Sequence, residues 1–125
     1  MTEEKQEKIM YFGTCGGEDS EKACMPFVMA NAALAMDIKA TVVLQGNAVY
    51  LALDEYRRTM LPGGGFPKME KLVEDFLSFE GELLVCMPCI KERNISQEEL
   101  VEGSKITAAG QLNIAALEAD AVFVY

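Results

Sequence analysis

The 125-residue chain is half hydrophobic and one quarter charged, and its eleven Lys and Arg against twenty Asp and Glu leave a net charge of −9. That composition excludes a disordered polar chain, and the acidic balance disfavours phosphate backbones and anionic lipid, so neither nucleic acid nor a membrane is expected as partner. One domain of this length buries enough surface for a core without disulfides or metals as staples.

The opening MTEEKQEK is polar with mixed charge, and no later run reaches the roughly 18 apolar residues of a membrane span. The expectation is therefore a cytoplasmic protein with a flexible segment at 1–7 and a single domain over 8–125. KIMYFGTCGG predicts a first strand near residues 8 to 14, broken by Gly13, Gly16 and Gly17. EDSEKACMPFVMANAALAMD has a capping candidate in Ser20 and a run of Ala, Met and Leu that fits a buried helix ending before Asp37. Pro26 belongs near a first helical turn, which puts the regular helix as late as Met25.

KATVVLQG reads as a second, central strand, because its apolar residues are contiguous. NAVYLALDEYRR predicts a short helix, and TMLPGGGFP, residues 59 to 67, a loop that serves as lid, partner loop or plain connector. In PKMEKLVEDFLSF the apolar residues Met69, Leu72, Val73, Phe76 and Leu77 share one helical face, with Pro67 suited to the first turn. Gly81 ends that helix and ELLVC supplies a third strand. NISQEELVEG holds a capping box, Ser96 with Glu99, which predicts a short helix before Gly103. SKIT, AAGQLNIAALEA and DAVFVY complete the chain as strand, helix and strand. This alternation argues for an α/β three-layer α/β/α sandwich with a mainly parallel sheet of about five strands.

Sites in such sheets lie at the carboxyl ends of the strands, near a switch in strand order. Three features fall there: GTCGG with Cys15 and Gly16, QGNAV with Gly46 and Asn47, and CMPC with Cys86 and Cys89. The chain has no His, so Ser-His-Asp and Cys-His chemistry is excluded. GTCGG matches neither dinucleotide nor P-loop patterns, and Glu18 and Asp19 would repel phosphate, so it reads as an ordinary tight turn. Cys15 and Cys24 form no second CxxC, so structural zinc is disfavoured and no resident metal or cofactor is expected, although Cys15, Cys86 and Cys89 could share an incidental metal. In a reducing compartment the pair reads better as thiol chemistry. Cys86, between a strand end and a helical turn eased by Pro88, is expected to be thiolate-like, with Lys91 and Arg93 as nearby cations. A thioredoxin arrangement is disfavoured because CMPC follows the third strand and no Pro occurs after Pro88.

The order of KIMYFGTCG, MANAALAMDIKATVVLQGNAVYLA and LLVCMPCIKERNISQEELVEGSKITAAGQLNIAALEADAVFV resembles the DsrE/DsrF-like (TusD- and YchN-related) sulfur-relay family from Lys8 to Tyr125. The resemblance implies a three-layer sandwich assembled as a homotrimer or hexamer. It implies a sulfurtransferase-like persulfide relay in which Cys86 accepts sulfane sulfur from a donor and yields it to an acceptor, donor and acceptor being partner proteins or small thiols. Cys89 departs from the sulfur-relay pattern and stands as a possible resolving thiol, with Cys15, Gly16, Gly46, Asn47 and Lys91 as candidate pocket residues. Two other classes remain open: a dithiol redox or thiol switch on Cys86 and Cys89, and a non-catalytic oligomeric binding module with a Met-rich interface.

Overall fold

The computed structural model describes residues 5–125. Residues 1–4 of the expected flexible segment lie outside the described residues. Gln6 donates to the Asp37 carbonyl at 2.7 Å, the Glu7 carbonyl accepts the Lys39 N–H at 2.9 Å, and Lys5 pairs with Asp120.

Five strands, β1 (Lys8–Gly13), β2 (Lys39–Leu44), β3 (Glu82–Cys86), β4 (Ser104–Thr107) and β5 (Ala121–Val124), form one parallel sheet in the order β4-β3-β2-β1-β5. The central strand is β2, as its contiguous apolar run predicts, and Val42, Val43 and Leu44 are buried. Alternate residues serve opposite faces. Tyr11, Val42, Leu83 and Val85 join the larger core with Phe27 and Phe76, whereas Met10, Val43 and Leu84 meet Leu112 across the other face.

Helix α1 (Ser20–Ala35) and helix α3 (Met69–Ser78) cover the larger core, with Phe27 and Phe76 edge to face at 5.5 Å. The cap of α1 is Asp19, which accepts the Lys22 N–H at 3.1 Å, so the helix begins before the proline and not at Met25. Pro26 is tolerated well inside it, buried against Gly13. After β2 a 3-10 segment (Gly46–Ala52) precedes the short helix α2 (Asp54–Thr59), in place of one continuous helix. The 59–67 segment is loop throughout most of its length, and Phe66 in it packs against the core. Helix α4 (Met87–Glu92) follows β3 directly. The predicted helix at Ser96 is a single 3-10 turn, Gln97–Glu99, whose cap is Ser96 with Glu98 and not Glu99 as partner.

Helix α5 (Ala109–Glu118) links β4 at one edge to β5 at the other. A right-handed crossover in that reversed direction must run over the second face, and Leu112, Ala115, Ala116 and Ala119 cover Met10, Val43 and Leu84 there. A single helix cannot blanket five strands. Val122, Val124, Ile114 and Leu117 are left exposed.

Candidate functional site at the carboxyl end of the third strand

The chain leaves β3 toward the face of α1 and α3, and leaves β4 toward the face of α5. Neighbouring strands whose exits part to opposite faces open a crevice between their carboxyl ends. Cys86 and Thr107 are ladder partners at the point where those exits part. The turn is local in origin: Cys86 keeps an extended backbone, and Pro88, which has no N–H to satisfy, sits in the first turn of α4.

One helical turn brings Cys89 back to Cys86. The two half-buried sulfurs are 2.9 Å apart, Cys89 donating to Cys86, and the Gly46 N–H donates to Cys89 Sγ at 3.2 Å. Gly46 makes this contact from φ +54°, a backbone conformation costly for any residue with a Cβ. Burial pushes the Cys86 thiol above the ordinary value, and the second thiol at contact distance adds to the rise, since two adjacent sulfurs resist ionising together. The backbone N–H of Cys89 and the charge of Arg93 oppose the shift without reversing it. The expected thiolate character of Cys86 is therefore corrected: desolvation outweighs the end of a helix only six residues long.

Around the thiols runs a polar chain. Arg93 donates through Nε and Nη2 to Asn47 Oδ1 at 3.1 and 3.0 Å, and through Nη1 to the Cys89 carbonyl at 3.1 Å. Asn47 Nδ2 donates to Glu18 Oε2 at 3.3 Å, and Glu18 Oε1 accepts the Gly16 N–H at 2.9 Å. The Gly17 N–H goes to the Tyr56 hydroxyl at 2.7 Å, so the amides of Gly16 and Gly17 are both occupied by the protein's own groups. Tyr56 stacks on Tyr50 at 5.2 Å, and the Arg93 guanidinium lies 6.0 Å above the Tyr50 ring.

Of the residues singled out from sequence, Gly16, Gly46, Asn47, Cys86 and Cys89 fall within this connected set. Cys15 is half-buried against the core and makes no hydrogen bond to either thiol among the described residues, and Lys91 is exposed on α4. No three His, Cys, Asp or Glu side chains gather into a metal set among the described residues, so Cys15 does not complete a three-thiol ligand group. Cys24 is buried in α1, where desolvation raises its thiol. Sequence reasoning ranked Lys91 with Arg93, but the register separates them: Arg93 lies four residues after Cys89, on the same helical face. Tyr50, Tyr56 and Thr107 carried no local signal and are brought in by the tertiary fold. No helix of the described residues is long and apolar enough to cross a membrane.

The YchN protein of E. coli has the same fold, with a TM-score of 0.80 at 23% identity, covering 96% of this chain and all of that one. MTH1491 of Methanobacterium thermoautotrophicum, a protein of unknown function, superposes with a TM-score of 0.73 at 10% identity, over 97% of this chain and all of its own. The uncharacterised protein MJ0760 of Methanocaldococcus jannaschii is 36% identical over 106 residues, 84% of this chain. The match spans only 38% of MJ0760. A second uncharacterised protein of that organism, MJ0989, is 28% identical over 105 residues, 84% of this chain and 88% of its own length. The sequence profile of the DsrE/DsrF-like family matches residues 7–125, and the chain belongs to that family.

Proposed function

We propose that this protein is a sulfur-relay protein that accepts sulfane sulfur as a persulfide on Cys86 and passes it to a partner thiol. The observation that carries the reading is the position of Cys86: a half-buried thiol at the carboxyl end of β3, laddered to Thr107 of β4, with a second sulfur 2.9 Å away. Cys86 as thiolate attacks the outer sulfur of a donor persulfide, forms Cys86–S–SH and releases the donor thiolate; an acceptor thiolate then takes that outer sulfur in the same way. Donor and acceptor are cytoplasmic proteins or small thiols. The exposed apolar residues on β5 and α5 support a subunit contact, since edge strands and apolar patches of this kind are covered in assemblies, and a homotrimer or hexamer is the assembly the family resemblance implies.

Intact mass spectrometry after incubation with a sulfane-sulfur donor tests the reading. Cys89→Ser, in which no second thiol displaces the bound sulfur, is expected to gain one sulfur atom and Cys86→Ser none; an unchanged Cys89→Ser mass, or equal gain in Cys86→Ser, rejects it. The same 2.9 Å separation supports a second reading, a dithiol switch, because it lies within about 1 Å of a disulfide bond length. That reading expects a reversible loss of two hydrogens confined to Cys86 and Cys89 in wild type, and no sulfur retained in Cys89→Ser.

A further inference from the structure

We propose that Asn47 and Arg93 are positioning residues that hold Cys89 as a discharging thiol, so that a sulfur carried on Cys86 is released as hydrosulfide. The inference rests on the persulfide reading above for the origin of the sulfur, but its geometry stands apart from it.

Arg93 ties together the two segments that hold Cys89. Its Nη1 donates to the Cys89 carbonyl at 3.1 Å, which anchors α4, while Nε and Nη2 both donate to the side chain of Asn47, the residue directly after the amide that meets Cys89 Sγ. Asn47 is held from its far side by Glu18, and the guanidinium plane rests over Tyr50. The fork of a guanidinium fits this double demand, and an ammonium group cannot reproduce it. The result is a sulfur pinned at contact distance from Cys86 Sγ, near the 3 to 3.5 Å, roughly, at which bound groups react.

In the discharge, Cys89 loses its proton to solvent and its thiolate attacks Cys86 Sγ. A Cys86–Cys89 disulfide forms, the bond from Cys86 Sγ to the outer sulfur breaks, and its electron pair leaves with that sulfur, which keeps its proton and departs as HS⁻. The outer sulfur is reduced and the Cys89 sulfur is oxidised, while Cys86 Sγ keeps the oxidation state it had in the persulfide. Two equivalents of a low-molecular-weight thiol then reduce the disulfide, become a disulfide themselves, and restore the pair.

The test loads the protein with inorganic polysulfide and follows hydrosulfide release and disulfide closure by mass. In parallel, Cys86 is loaded as a glutathione mixed disulfide, whose closure by Cys89 releases glutathione and needs no persulfide. Arg93→Lys and Asn47→Ala are expected to slow closure about tenfold in both formats. Cys89→Ser should retain its sulfur and release no hydrosulfide. Buried Cys24 reports on the fold by staying unreactive to iodoacetamide. Closure within twofold of wild type in both Arg93→Lys and Asn47→Ala overturns the proposal, as does slowing that appears only when Cys24 becomes reactive. Failure of polysulfide to load Cys86 counts against the persulfide reading alone, and the glutathione format still decides the role of Asn47 and Arg93.

Discussion

Gly16→Ala is the sharpest structural perturbation of the site. A Cβ at Gly16 would lie 2.8 Å from the Tyr56 hydroxyl, 2.9 Å from the Asn47 backbone carbonyl and 3.1 Å from Glu18 Oε1. The Asn47 carbonyl belongs to the 3-10 segment and cannot swing away as a side-chain tip can. The two loops must part, at the expense of the Gly16–Glu18, Asn47–Glu18 and Gly17–Tyr56 hydrogen bonds. At about 1 kcal/mol net for each bond, less about 0.5 to 1 kcal/mol from stiffening the unfolded chain, the loss is about 2 kcal/mol. With an unfolding entropy of about 0.26 kcal/mol/K for a chain of this length, Tm should fall by about 8 °C. Gly110→Ala is the matched control, because a Cβ there meets nothing within 4 Å, and it should leave Tm unchanged or raise it slightly. Calorimetry of both variants decides the matter. A Gly16→Ala midpoint within about 2 °C of wild type would refute the close approach of the two loops.

Raised by burial, the Cys86 thiol should react with iodoacetamide at a rate that climbs with pH and reaches half its maximum above the ordinary thiol value; a midpoint below that value contradicts the desolvated site. The Cys24 thiol is raised for the same reason, so its stabilising contribution is complete below the unfolded value and is lost as pH rises through the higher folded value. Urea midpoints should therefore decline in the alkaline range, and decline less steeply in Cys24→Ala. Leu117 is 87% exposed and Val124 72% exposed, so Leu117→Glu and Val124→Glu should leave the Tm of an isolated subunit nearly unchanged while shifting light-scattering mass toward the monomer. Equal mass for wild type and both variants would count against that surface as the subunit contact.

Most of the fold was legible because its signals are local. The contiguous apolar run Val42–Leu44 reads as a strand buried on both faces, and the 3.6-residue period of Met69, Leu72, Val73 and Phe76 reads as a helix packed on one side; both sets are buried in the structure. Boundaries failed where local propensity was overruled. Asp19 captured the Lys22 N–H, so α1 formed ahead of Pro26. The segment after Ser96 was held to one 3-10 turn while Val101 N–H bonded back to the Ala52 carbonyl at 2.8 Å.

By itself the sequence determined that a thiol pair one helical turn apart would stand at the end of the third strand, because strand period, Pro88 and the i, i+3 spacing of Cys86 and Cys89 are all properties of neighbouring residues. Only the tertiary structure decided what surrounds that pair. Strand order put Thr107 beside Cys86, chain reversal over the second face parted the exits of β3 and β4, and loops far apart in sequence brought Gly46, Asn47 and Glu18 together with Arg93. The charge state of Cys86 followed the same rule: a helix end is visible in sequence, but the desolvation that outweighs it depends on what the rest of the chain packs against the sulfur.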